Sequence, residues 1–112
     1  MTTQALKGHL DLLVLAVLAR GPRHGYAIIE GLREASDEVF DLAEGTVYPV
    51  LHRLERDGAL ASEWTEANGR RRRQYRITTA GIARLEREQA SWRQFSSAVA
   101  AVLGIRSWPS PA

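Results

Sequence analysis

The chain has 112 residues, the length of a single domain, and 45% of them are hydrophobic, which is ordinary for a globular protein. It contains no cysteine, so disulfides and thiolate metal sites are excluded. The formal net charge is only +2, but five of the fifteen basic residues lie between Arg70 and Arg76. A near-neutral chain with its positive charge gathered in one segment favours a local nucleic-acid-binding patch.

Two helices are predicted in the first third of the chain. Apolar residues cover most faces between Leu6 and Arg20, which is typical of a helix packed against more than one partner, and Gly21 with Pro22 ends it. Within it, the apolar run Leu10–Ala19 is too short to cross a bilayer, so we expect a cytoplasmic protein with no membrane partner. Gly25–Ala35 is predicted as the second helix, and residues 36–45 as a linker.

A third, short helix is predicted within Glu44–Leu60. Thr46 is placed to cap its first turn, Pro49 to lie in that turn, and Gly58 to end it in the left-handed conformation. One face is apolar and carries Val47, Leu51 and Leu54. The opposite face carries Pro49, His52, Arg53 and Arg56. A helix with an apolar back and an arginine-bearing front suits the major groove of DNA.

An arginine-rich hairpin is predicted next. Leu60–Trp64 and Arg71–Thr78 read as its strands, and Glu66–Gly69 as its turn, since Asn-Gly is a strong hairpin signal. Tyr75 and Ile77 alternate with polar residues, which indicates a structured wing and not a disordered charged loop. The arginines expected to reach phosphates or the minor groove are Arg70, Arg71, Arg72 and Arg73.

The last predicted element is a long helix from Thr78 or Thr79 to about Leu103, whose first turn is slightly weakened by Gly81. Its apolar residues follow heptad-like spacing, which is typical of a helix that pairs with a copy of itself. The residues expected at this dimer interface are Leu85, Trp92, Phe95, Val99 and Val102.

The predicted fold is therefore mainly α with a small β-hairpin wing, a winged helix-turn-helix with a long C-terminal dimerisation helix. We predict the DNA-binding domain over residues 1–78, the dimerisation helix over 79–104 and a disordered tail over 105–112.

Other kinds of site find little support. His9, His24 and His52 lie in separate segments without metal-ligand spacing, and no nucleophile–base signature or phosphate-binding glycine loop occurs. We therefore expect no metal, no cofactor and no enzymatic activity. Two alternatives to a DNA-binding regulator remain open. One is a winged-helix module that binds an acidic protein, and the other is a ligand sensor that has lost its DNA-binding role.

Five motifs resemble those of the PadR-like transcriptional regulators, and the resemblance covers about residues 6–95. The motifs are Leu10-Asp11-Leu12-Leu13-Val14-Leu15, His24-Gly25-Tyr26, Gly45-Thr46-Val47-Tyr48-Pro49, Leu51-His52-Arg53-Leu54-Glu55, and the wing Gly69-Arg70-Arg71 with Tyr75-Arg76-Ile77-Thr78.

The resemblance implies a dimeric winged-helix repressor of a transporter or detoxification operon, or of its own gene, with Thr46–Asp57 as the recognition helix. The short C-terminal part is similar to that of the smaller subfamily, which has one dimerising helix. Two symmetric copies imply a palindromic operator. The residues expected to face double-stranded DNA are Thr46, Tyr48, Pro49, His52, Arg53, Arg56 and the four wing arginines.

The resemblance also implies a place for an effector. Some similar proteins bind flat aromatic compounds between their subunits, near a tryptophan of the last helix, and Trp92 occupies a comparable position. Plain packing of Trp92 at the dimer interface is the alternative interpretation.

Overall fold

The computed structural model describes residues 8–105, which form four helices and three strands. In chain order these are α1 (Leu10–Leu18), β1 (Arg23–His24), α2 (Gly25–Ala35), α3 (Glu44–Arg56), β2 (Leu60–Ala67), β3 (Arg70–Ile77) and α4 (Thr79–Leu103). The predicted start of the first helix at Leu6 and the predicted tail beyond Ile105 lie outside the described residues. The mainly α fold with a hairpin wing is confirmed.

The hydrophobic core lies where α1, α2 and α3 meet the base of the hairpin. The predicted apolar face of α3 is confirmed, because Val47, Leu51 and Leu54 have no exposed surface. Tyr75 closes the core on the side of the wing. Burial of each such side chain stabilises the fold by about 1.5–3 kcal/mol. Because this face of α3 is buried, the opposite face of the helix points towards solvent.

The hairpin is longer than predicted. Its antiparallel register runs from Leu60 opposite Ile77 to Ala67 opposite Arg70. The turn contains only Asn68 and Gly69, whose φ angles of 54° and 74° are the positive values that a type I′ turn requires. The strands therefore carry the arginine run out to the tip of the wing.

The short strand β1 was not predicted from the sequence. Its two residues pair with β3 in antiparallel fashion, with Arg23 opposite Tyr75 and His24 opposite Gln74. The sheet order is β1-β3-β2, so β3 is the central strand. This pairing joins the start of α2 directly to the wing.

The predicted cap of α3 is wrong by three residues, because the cap position is Ala43 and not Thr46. The backbone carbonyl of Ala43 accepts hydrogen bonds from the N–H groups of Thr46 and Val47 at 3.0 and 3.2 Å, and no side chain caps the helix. Thr46 therefore lies inside the first turn, and Pro49 lies in the second. Because Pro49 has no N–H, the Gly45 carbonyl lacks its usual helical partner, and Gly45 is exposed to water.

The predicted end of α3 is confirmed. Gly58 has a φ of 81°, and the N–H of Ala59 reaches back to the carbonyl of Leu54 at 2.9 Å. These are the features of a Schellman motif, which satisfies the last carbonyls of a helix.

The start of α4 is fixed against the rest of the domain. The Thr78 hydroxyl caps it by accepting a hydrogen bond from the N–H of Gly81 at 3.0 Å, as predicted. A Cβ on Gly81 would overlap the carbonyl oxygen of Ala59, so only glycine allows this close approach. With 25 residues, α4 is about 37 Å long. In the described range, no helix is both long and apolar enough to span a bilayer.

Candidate nucleic-acid interface

The outer face of α3 is the first part of the candidate interface. Its predicted residues Pro49, His52, Arg53 and Arg56 are all exposed, as is Thr46 in the first turn. The basic face and the buried apolar face are thus on opposite sides of one helix. This arrangement presents a polar surface on a firmly packed support.

Tyr48 differs from the other predicted contact residues because it is half-buried against the core, whereas the others are exposed. Its hydroxyl lies so close to Gly25 that a Cβ there would be 2.5 Å from the oxygen. Its ring centroid is 6.5 Å from that of His52. Tyr48 therefore holds α3 against the start of α2, a role that sequence reasoning did not identify.

The arginine-rich wing is the second part. Arg70, Arg71 and Arg72 are exposed, and none of them forms an ion pair with any residue between 8 and 105. Three cationic side chains on a rigid hairpin are well suited to bind an external polyanion.

Arg73 has a different role from the other wing arginines. Its Nε donates a hydrogen bond to the Ser62 hydroxyl at 2.7 Å, and its Nη2 lies 3.7 Å from a carboxylate oxygen of Glu55. Ser62 in turn donates to Glu55 at 2.5 Å. Because Glu55 belongs to α3, these contacts tie the wing to that helix.

A cleft of about 400 Å³ separates the wing from the starts of α2 and α3. Trp64 is 56% exposed and lines this cleft. The guanidinium carbons of Arg71 and Arg73 lie 5.0 and 5.3 Å from its ring centroid. Such cation–π contacts contribute about 0.5–1 kcal/mol at exposed sites, so the indole helps to order the arginines.

His24 and Tyr75 also line this cleft. The imidazole of His24, the residue before α2, makes no capping hydrogen bond. Its buried Nδ1 has no partner among residues 8–105. Burial raises the pKa of the Tyr75 phenol, the negative charge of Glu55 adds to the rise, and the charge of Arg73 partly opposes it. Tyr75 therefore stays neutral well above pH 7.

A cluster of charges centred on Asp11 joins α1, α3 and α4. The Asp11 carboxylate accepts a hydrogen bond from Arg53 of α3, and another from Nη2 of Arg84 of α4 at 2.6 Å. Arg84 also lies 3.3 Å from Glu88 and 3.7 Å from Asp57. Arg53, predicted to face DNA, is thus engaged within the chain on one side, while its side chain remains 44% exposed.

The far part of α4 carries apolar side chains that a single chain does not bury. Trp92, Phe95 and Val102 are 43%, 59% and 88% exposed, and Val99 is half-buried. Leu85 differs from the rest of the predicted dimer stripe. It is only 7% exposed and belongs to the core, so it has almost no surface to offer a second copy.

A second cleft, of about 310 Å³, lies between the start of α1 and the middle of α4. Its aromatic members are His9, Trp92 and Phe95. The His9 ring meets the Trp92 ring edge-on at 4.8 Å between centroids, and the Phe95 ring lies 6.0 Å from the indole. The acidic side chain at its margin is Glu88, which pairs with Arg84.

A helix with an apolar back and a basic front, followed by an arginine-rich hairpin, defines a winged helix-turn-helix protein. The model of the transcriptional regulator PadR-like family matches residues 14–87, which is more than half of the chain. The chain belongs to this family of transcriptional regulators, as its motifs indicated.

Individual relatives agree with this assignment. A transcriptional regulator of Mycobacterium tuberculosis is 42% identical over 67 residues, which cover 60% of this chain and 63% of the relative. The solved structure of a transcriptional regulator from Clostridium thermocellum has a TM-score of 0.81 at 29% identity, covering 88% of this chain and 94% of the other. A PadR family regulator from Eggerthella lenta has a TM-score of 0.77 at 34% identity, covering 89% and 86%.

Proposed function

We propose that this PadR-like regulator binds operator DNA as a homodimer and represses transcription. The observation that carries the proposal is the pairing of two exposed basic elements, the outer face of α3 and the wing. Three wing arginines have no internal ion pair within the described residues, so their charges are available to phosphates.

In this proposal α3 enters the major groove, which is about 12 Å wide and admits one helix. Pro49, His52 and Arg56 lie on the exposed face that would meet base edges and phosphates. The wing reaches the neighbouring backbone or minor groove with Arg70, Arg71 and Arg72. Pairing of two copies through the exposed stripe of α4 places two such surfaces on half-sites about 34–36 Å apart, or a multiple of that distance.

Selection of duplexes from a random library tests the DNA-binding proposal. We expect enrichment of a palindromic sequence, and an affinity for it that falls steeply with salt concentration. A reporter gene placed behind the selected sequence then tests the sign of regulation, and lower expression in the presence of the protein is expected. Absence of duplex binding at low salt would instead favour a winged-helix module that binds another protein.

A small aromatic compound bound near Trp92 is the proposed releasing signal. The aromatic edges of His9, Trp92 and Phe95 around one cleft support this idea, since flat rings gain from stacking and apolar burial there. Titration with planar compounds, followed by tryptophan emission, is the test. Full quenching in Trp92→Leu would place the ligand elsewhere, and no effect of any compound on operator affinity would remove the effector from the proposal.

A further inference from the structure

The charge cluster centred on Asp11 connects α3, the proposed recognition helix, to α4, the proposed dimerisation helix. Asp11 and Arg84 are its less exposed members, with side chains 19% and 26% exposed, whereas Arg53 is 44% exposed. The Arg53 side chain therefore runs from α3 to a half-buried carboxylate, and part of it stays exposed.

The pair formed by Asp11 and Arg84 is itself held from several sides. Arg84 donates to Asp11 at 2.6 Å, and it is held in turn by Glu88 of its own helix at 3.3 Å and by Asp57 at the end of α3 at 3.7 Å. The Asp11 carboxylate consequently has little freedom to change direction. A hydrogen bond to such a fixed acceptor fixes the donor as well.

We propose that Asp11 is a positioning residue for sequence recognition, which aims the Arg53 guanidinium at DNA by holding one of its Nη atoms. A guanidinium has five N–H donors in a rigid planar fork, so one bond to Asp11 leaves donors for a base edge or a phosphate. The inference rests on the proposed DNA-binding function. It gives Asp11, a residue of α1 outside α3, an influence on specificity that acts through Arg53.

Two physical effects follow from the Asp11 contact. The side-chain freedom of Arg53 is already reduced before DNA arrives, so less entropy is lost on binding. The direction of the fork is also set, which favours the base pair that this direction matches over the others. A merely structural ion pair would stabilise the fold without either effect on recognition.

The test compares Asp11→Asn with the wild-type chain on two duplexes, the sequence selected from a random library and a scrambled one. The measured quantity is the ratio of the two affinities. Loss of folded protein lowers both affinities equally, so the ratio reports on recognition and not on stability. We expect the ratio to fall about fivefold or more, since a well-placed arginine–guanine pair contributes a factor of roughly five to 150.

Asp41→Asn is the matched control, because it removes the same charge from an exposed position on the linker before α3. We expect an unchanged ratio for Asp41→Asn. Asp11→Asn combined with Arg53→Ala is expected to be no worse than Arg53→Ala alone, since Asp11 acts through Arg53. Additive losses in the double variant would overturn the positioning role.

If Asp11→Asn does not fold, Asp11→Glu tests whether Asp11 positions Arg53, because it keeps the charge while moving the carboxylate by one methylene. We expect it to reduce the ratio less than Asp11→Asn. A wild-type ratio in Asp11→Asn, or in Asp11→Glu where Asp11→Asn does not fold, overturns this inference alone. A wild-type chain that does not discriminate between the duplexes overturns the proposed function, and this inference with it.

Discussion

Gly81 is a residue that local helix propensity disfavours and tertiary packing requires. Alanine is better than glycine inside a helix by about 1 kcal/mol. In α4, however, a Cβ at this position overlaps a backbone carbonyl oxygen of Ala59, which no rotamer change can move. We expect Gly81→Ala to lower the free energy of unfolding by about 1–3 kcal/mol, as overpacking does. Urea unfolding at a fixed protein concentration measures the change.

Gly45→Ala is the control for the effect of Gly81→Ala. Gly45 is also helical, in α3, but a Cβ there would meet no atom within 4 Å. We expect Gly45→Ala to raise the free energy of unfolding by up to about 1 kcal/mol. A similar gain in both variants would contradict the tight approach of α4 to Ala59.

The buried phenol of Tyr75 makes stability depend on alkaline pH. Burial and the charge of Glu55 raise its pKa in the folded chain above the ordinary value of 10.0. The stabilising contribution is therefore complete below pH 10, and it is lost as the pH rises through the folded-state pKa. We expect the free energy of unfolding to fall above pH 10, and to fall less in Tyr75→Phe. Tyr26 and Tyr48 are present in both proteins, so equal pH dependence would exclude Tyr75 as the cause.

At the scale of elements, the wing is expected to contribute affinity without sequence preference. Arg71→Ala combined with Arg72→Ala should weaken binding to selected and scrambled duplexes to the same extent, because phosphate contacts carry no sequence information. Each lost contact should reduce the slope of log affinity against log salt by about 0.9. Measurement of binding at several salt concentrations checks both statements.

A variant with the same charge change separates a wing contact from a general effect of charge. Arg87 and Arg93 are exposed on α4 and form no ion pair within the described residues. Replacing both with alanine should leave the salt slope close to that of the wild type. If the wing variant kept the wild-type slope, the wing would not touch the phosphates.

Elements with a strong local signal were predictable from the sequence. The apolar face of α3 follows from residues spaced four and three apart, the wing turn follows from Asn68-Gly69, and the start of α4 follows from the Thr78 cap. Each of these signals lies within about two helical turns of sequence. Local backbone preference is enough to specify such features.

Features that depend on residues distant in sequence were not predictable. Asp11 meets Arg53 and Arg84 across separations of 42 and 73 residues, and no periodicity reports such a meeting. Strand β1 has only two residues, too few for an alternating pattern.

Thr46 looks like a better helix cap than Ala43, yet the extended backbone before α3 allows the helix to begin at Glu44.

At the scale of the whole molecule, the exposed apolar side chains of α4, which include Trp92, Phe95 and Val102, form the surface through which two copies would pair in the proposed dimer. Phe95→Glu places a charge on this stripe, where pairing with a second copy would desolvate it at a cost of several kcal/mol. Phe95 is 59% exposed in the single chain, so the fold of each subunit should tolerate the change. We expect monomers in sedimentation experiments, and loss of tight binding to a palindromic duplex.

Ser97→Glu adds the same charge to the opposite side of α4 and serves as the control. Ser97 is exposed and lies two positions, or about 200°, from Phe95 around the helix. We expect this variant to remain a dimer. An intact dimer of Phe95→Glu would move the interface away from this stripe.

The carbonyl of Ala59 has a consequence for how the molecule can change shape. It accepts hydrogen bonds from both the backbone N–H and the hydroxyl of Thr78, at 3.1 and 3.0 Å, and Gly81 passes against the same oxygen. The end of α3, the base of the wing and the start of α4 thus meet at one peptide group, and these contacts oppose hinge motion at this point. In the proposed dimer, we therefore expect each subunit to move as one rigid body. A tilt of about 10° along an α4 of about 37 Å displaces its far end by roughly 6 Å. A small rotation between the two copies of the proposed dimer would therefore be enough to change the separation of their recognition helices.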